Sequence, residues 1–186
     1  QTKKCYKILK ILKMELVKAP STHLQTVCQP FDFDSMDAVQ ISGEMCKIMM
    51  DNDGLGLSAN QVGLNCQLFV MRPLENKEVT KPFAVINPII REVSDETING
   101  PEGCLSYPLL FLNISRPKRL VAQFLDIEGK ECIIEFTGID ARCFAHEYDH
   151  LQGIEFIERV SKLKLEMAKK KQDKLAKRLK RHGRTQ

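Results

Sequence analysis

The pentapeptide His146-Glu147-Tyr148-Asp149-His150 constrains this chain more than any other stretch. Histidines four residues apart lie one turn above the other on the same face of an α-helix, so both imidazoles can reach one metal ion. Glu147, beside the first of them, then points to the open coordination position, where a carboxylate can take a proton from water. The bland alternative is a surface helix that happens to carry two histidines. The chain has only four histidines in 186 residues and two of them are here, which favours the metal.

Catalytic sites of this kind use three protein ligands and leave one position for water. Downstream, Glu155 and Glu158 lie just past Gly153, and His182 sits in a basic tail. Upstream, Cys104 in Glu102-Gly103-Cys104-Leu105-Ser106 follows a Gly100-Pro101 turn, on a tight and accessible stretch of backbone. A buried core cysteine is the competing reading of Cys104. The pattern of residues leaves the third ligand open.

The expected fold is α+β: small antiparallel sheets packed around a central HExxH helix, with a C-terminal helix. Asp34 or Ser35 is expected to cap a helix whose apolar positions Ala38, Ile41, Met45, Ile48 and Met49 recur at helical spacing. Asp51-Asn52-Asp53-Gly54 should end it. Short apolar runs predict strands at 67–71, 83–87 and 120–125, and Glu128-Gly129-Lys130 predicts a hairpin turn from 121–126 into 131–136. A helix over 140–151 carries the two histidines, with Ile139 and Cys143 toward the same side. A last helix is expected over 162–181, with Leu163, Met167, Leu175 and Leu179 spaced by multiples of four.

Charge divides the chain into three parts. From residue 161 to 186 eleven Lys/Arg face only Glu166 and Asp173, a net +9, and residues 1–15 carry +4. Since the whole chain is +4, residues 16–160 carry −9. We read 1–15 as a basic N-terminal extension, 16–160 as the catalytic domain, and 161–186 as a basic helix and tail of the kind that meets a polyanion. No apolar run approaches the ~18 residues of a membrane span. Seven cysteines, an odd number with no CxxC pair, and an N-terminal stretch broken by Lys7, Lys10 and Lys13 predict reduced thiols, no signal peptide and a cytoplasmic location.

Three segments, in order, resemble the signature motifs of the peptide deformylase family. They are Gly54-Leu55-Gly56-Leu57-Ser58-Ala59-Asn60-Gln61, then Glu102-Gly103-Cys104-Leu105-Ser106, then the HEYDH helix. The resemblance runs from about Leu16 to Val160. It implies that Cys104, His146 and His150 hold one divalent ion and that Glu147 is the general base and then the general acid. It makes the Gln61 side-chain amide and the Leu105 backbone N–H donors to the developing oxyanion. Leu55, Ile139 and Cys143 would line a pocket for the methionine side chain, and Gly56 and Gly103 would lie along the substrate backbone. Glu102, Arg116 and Asp149 would brace the ligands, Glu102 pairing with Arg116, and Asp149 either bonding a ligand imidazole or fixing the helix locally. Donor type suits zinc; the resemblance implies Fe(2+) as the physiological ion, with zinc, nickel or cobalt able to replace it. Formyl-methionyl nascent peptides are the implied substrates, and docking of the C-terminal helix on ribosomal RNA the implied partnership. The chain departs from the family pattern at Ser58-Ala59-Asn60, where the family carries two alanines and then Pro or Thr, and at Leu110-Phe111, where many bacterial members are polar or basic.

Three rivals are weighed against this reading. A zinc endopeptidase shares HExxH but would leave the EGCLS motif unexplained. An RNA-binding module accounts for the tail but gives HEYDH and Gln61 no purpose. A degenerate deformylase homologue is opposed by the intact ligands, Glu147 and Gln61.

Overall fold

The computed structural model describes residues 14–75 and 81–181. Nearly all of the basic extension at 1–15, and His182, lie outside them. The first long helix, α1, is Ala38–Asp51. Its cap is Asp37, whose side chain accepts from Gln40 N at 2.9 Å, and not Asp34 or Ser35. Those two are used one turn earlier, where the Asp32 carboxylate takes the Asp34 N–H and the Ser35 hydroxyl. The helix stops as predicted, with Asp53 in the left-handed region at φ 53° and Gly54 N returning to Met49 O at 2.8 Å.

Strands β1 (Gly56–Ser58), β2 (Leu68–Met71), β3 (Phe83–Val93), β6 (Arg119–Leu125) and β7 (Glu131–Thr137) form one antiparallel sheet in the order β1-β2-β3-β6-β7. The β6–β7 hairpin turns at Gly129, at φ 78°, as its sequence predicts. β3 runs beyond the predicted segment because a register shift at Asn87-Pro88 re-aims the strand without ending it. Asn87 turns its side chain to the backbone of Phe31, accepting from its N–H at 2.7 Å and donating to its carbonyl at 3.1 Å.

More than one sheet is present, as expected, but no strand was predicted in the segment that forms the second one. β4 (Thr97–Cys104) and β5 (Tyr107–Pro117) form a two-stranded hairpin. β4 is rich in glycine, proline and polar residues, and so gives no alternating apolar signal. β5 does alternate: Leu110, Leu112 and Ile114 are buried, and the next position inward is the charged Arg116.

Helix α2 (Gly138–Leu151) packs against β1, β2, β6 and β7 of the large sheet and against β5 of the small one. Its apolar side, with Ala141, Phe144 and Leu151, joins Phe69, Val85, Leu120, Phe124 and Phe136 in one core cluster. Phe144 is fully buried, and a ring of that size contributes roughly 2–3 kcal/mol on leaving water. α2 is thus fixed from its greasy side, and its polar residues are held rigidly toward the hairpin. The last helix, α3 (Lys162–Arg181), lies on β5. The stripe inferred from spacing is not the one that docks: Leu163, Met167 and Leu175 are exposed, while Leu165 and Ala168 pack on the cluster of Leu110, Leu112, Ile114 and Phe156. No helix among the described residues is long and apolar enough to cross a membrane.

Candidate active site

α2 brings His146, Glu147 and His150 inside the protein, at 7%, 3% and 1% exposure. The two imidazole rings lie 4.8 Å apart between centroids, one turn above the other. The hairpin supplies Cys104, at the break in β4–β5 register, with its sulfur 3.3 Å from His150 Nε2. The candidate ligand atoms of Cys104, His146 and His150 all lie within 4.8 Å of one another. Glu155 belongs elsewhere: its carboxylate accepts from Gln25 Nε2 at 3.0 Å and from the Tyr107 hydroxyl.

The surroundings set the state of each group. Glu102 Oε1 lies 2.7 Å from His146 Nδ1, which turns Nε2 of that ring toward the cluster. Burial pushes the Glu102 carboxyl up, but His146 and Arg116 outweigh it and hold it down at about 2. Burial and the neighbouring His146 push His150 well below the ordinary histidine range, toward the neutral form that ligates metals. Its Nδ1 has no hydrogen-bond partner among the described residues. Burial raises the Glu147 carboxyl above its usual range, against the opposing pull of His146 and of Ser58.

Arg116 grips Glu102 through Nε at 3.0 Å and Nη2 at 2.7 Å, and reaches Asp149 with Nη1 at 2.6 Å. The predicted Glu102–Arg116 pair is therefore present. Asp149 accepts from Arg116 and Arg159, so the carboxylate that meets a ligand imidazole is Glu102. Asp149 ties α2 to the hairpin instead. A second buried arginine escaped the sequence reading. Arg142 donates to Ile98 O at 2.7 Å and Ile114 O at 2.9 Å, and lies 3.3 Å from Glu102. An arginine among apolar helix residues was the only signal for it.

Gln61 is 1% exposed and doubly fixed. Its Oε1 accepts from Ser58 N at 2.9 Å, and its Nε2 points at Ser106 Oγ (3.1 Å) and Cys104 Sγ (3.3 Å). Ser58, one of the departures from the family pattern, donates from Oγ to Glu147 Oε2 at 2.7 Å. Asn60, another, donates to His150 O at 2.6 Å. Gln61, Glu102, Cys104, His146 and Glu147 face one cavity of about 610 Å³, which Leu55, Gly56, Gly103, Leu105, Ile139 and Cys143 also line. The structure thus gathers the predicted residues from three distant segments at one place. Such an arrangement can hold a cation on soft and imidazole donors, move a proton at Glu147 and present an amide N–H to an oxyanion.

The comparisons agree with the geometry. A family model described as polypeptide deformylase matches residues 13–166. The peptide deformylase of Maricaulis maris is 37% identical, over 88% of this chain and 94% of that protein. That of Wolbachia sp. subsp. Brugia malayi is 39% identical, over 87% of this chain and 95% of that protein. The crystal structure of a peptide deformylase from Synechococcus elongatus in complex with actinonin matches with a TM-score of 0.79 at 32% identity, over 87% of this chain and 88% of that one. Since the matched stretch contains all three motifs and relatives align along almost their whole length, this chain belongs to the polypeptide deformylase family of hydrolases.

Proposed function

We propose that this protein hydrolyses the N-terminal formyl group of formyl-methionyl peptides, releasing formate and a free amine, with a divalent ion held by Cys104, His146 and His150. The observation that carries the reading is the convergence of Cys104, His146, Glu147 and Gln61 on one cavity, with the candidate ligand atoms of Cys104, His146 and His150 within 4.8 Å of one another. A thiolate and two imidazoles fit a late first-row ion, and the Glu102 bond to His146 Nδ1 leaves Nε2 of that ring to donate. When bound, the ion supplies Lewis acidity at the formyl oxygen and brings water toward neutral pKa. Fe(2+) is the proposed physiological ion, with zinc, nickel or cobalt as substitutes; a reducing cytoplasm suits the thiolate ligand.

Glu147 takes the proton of the attacking water and returns it to the departing amine, and its burial raises its proton affinity above that of an ordinary carboxylate. Gln61 Nε2 and the Leu105 backbone N–H stabilise the negative charge that grows on the formyl oxygen. The Ser58 N–H bond to Oε1 fixes the orientation of the Gln61 amide before substrate arrives. The methionine side chain enters between Leu55, Ile139 and Cys143, and the substrate backbone passes Gly56 and Gly103. Residues 16–160 serve as the catalytic unit, and Glu102, Arg116 and Asp149 brace it.

The deciding measurement is formate release from a formyl-Met tripeptide by anaerobically purified protein, alongside Glu147→Ala. Turnover in the wild type and none in the variant, at equal metal content, supports the reading. A fully loaded wild type that releases no formate refutes it. The basic face of α3 we assign to ribosomal RNA, on its charge. Reversing Lys169, Lys170, Lys174 and Lys177 to glutamate should abolish low-salt co-sedimentation with ribosomes; unchanged sedimentation rules the assignment out. Reversal suits this test better than deletion, because Leu165 and Ala168 help cover the core under β5.

A further inference from the structure

The outer wall of the cavity is apolar in a way that the fold does not require. Gly103 pairs with Phe111 across the hairpin, but the next residue, Cys104, pairs with Tyr107, so Pro108, Leu109 and Leu110 bulge out of the ladder. The bulge is pinned on two sides. Leu110 is 1% exposed in the cluster beneath β5, and Pro108 O accepts from Gln172 Nε2 of α3 at 2.6 Å. With Leu110 turned inward, Leu109 and Phe111 stand outward on the rim, at 36% and 64% exposure, and both line the cavity that holds Glu147.

Leu109 sits at φ 64°, a conformation that disfavours a side chain by roughly 1–2 kcal/mol. A glycine there would avoid that cost, and a half-exposed leucine gains little packing in return. Phe111 lies over the bare backbone of Gly103, where a Cβ would come within 2.8 Å of its ring. The ring therefore rests on the strand that the substrate passes. The polar residues Lys18, Asn52 and Asp53 also line the cavity.

An extended peptide advances about 3.3 Å per residue. With its methionine against Leu55, Ile139 and Cys143, its second and third residues fall roughly 3–7 Å further along, in a cavity that Leu109 and Phe111 also line. We propose that Leu109 and Phe111 form an apolar subsite that selects formyl-methionyl peptides bearing a large apolar residue at the second or third position. This rests on the deformylase reading and adds the class of substrate preferred.

The test compares kcat/KM for formyl-Met-Leu-Phe and formyl-Met-Ala-Ser with metal-loaded wild type and the Leu109→Gly/Phe111→Ser variant. Covering two large apolar side chains should give the wild type a preference of about tenfold or more for formyl-Met-Leu-Phe, expressed mainly in KM. In the variant the ratio should fall below about threefold, so at least about two-thirds of the discrimination factor is lost. Both positions are exposed and Leu109→Gly removes the left-handed cost, so thermal stability should hold; Phe111→Ser alone carries the test if the double variant does not fold. A wild-type ratio near one, or a preference that survives the substitutions, overturns the subsite. So does wild-type self-association that the variant abolishes without changing the ratio, which would make the rim a contact with a second copy. If the wild type deformylates neither peptide, the deformylase reading fails first and the subsite falls with it.

Discussion

Replacing Gly56 by alanine should disable this enzyme while leaving it folded. A Cβ built on Gly56 would stand 2.3 Å from Glu147 Oε1, 2.6 Å from its Cγ and 2.7 Å from its Cδ, where ordinary contact begins at 3.4 Å. The carboxylate must therefore retreat by about 1 Å, and it has little room, being 3% exposed and bonded to Ser58 Oγ at 2.7 Å. Because the crowded atoms are the end of a flexible side chain, the stability cost should be only about 1–2 kcal/mol. A general base misplaced by 1 Å costs on the order of 10²-fold in rate. The assay is formate release by Gly56→Ala at wild-type metal content, with a urea melt beside it. A kcat/KM within threefold of wild type would refute the reasoning, since it would mean that Glu147 tolerates displacement or is not the base. Loss of the metal would refute it differently, by showing that α2 itself moved.

Three further outcomes are expected. Ser58→Ala removes the bond that favours ionised Glu147, so the pKa of its carboxyl rises further; the base form is then lost at a higher pH, and the acid limb of kcat/KM should move upward. An unchanged or lowered limb would contradict this. Arg116→Ala leaves the buried Glu102 and Asp149 carboxylates short of their main cation and should cost about 3 kcal/mol in urea unfolding, Arg142 and Arg159 retaining part of each pairing; a loss under about 1 kcal/mol would show that those neighbours suffice. Cys104→Ala should drop bound metal from about one ion per chain to under about a tenth after dialysis, because two imidazoles alone make a weak site. Full retention would remove Cys104 from the ligand set.

Much of this protein is legible residue by residue. Local signals fixed the helices: the 3.6-residue period of Ala38–Asp51, the HEYDH spacing and the uninterrupted charged run of Lys162–Arg181. The strands before and after the Glu128-Gly129-Lys130 turn were readable for the same reason, since their apolar runs and turn residues are contiguous. Motif order also pointed to the ligands and to Gln61, because each motif is short enough to keep its chemistry in consecutive residues.

What only the tertiary structure decided lies between segments. Glu102 takes the role on a ligand imidazole that Asp149 was a candidate for, since a strand from the hairpin and not the helix itself faces His146 Nδ1. Arg142 finds its partners on Ile98 and Ile114, more than twenty residues upstream. Ser58, a departure from the family pattern, reaches Glu147 across 89 positions of chain. The spacing of Leu163, Met167, Leu175 and Leu179 marked α3 as a helix, but which of its residues meet the core, Leu165 and Ala168, only the packing decides. Sequence spacing records periods and neighbours within an element, where geometry is set by backbone dihedrals. The partners of a buried charge are set by which elements pack together, and desolvation then makes those long-range pairings obligatory.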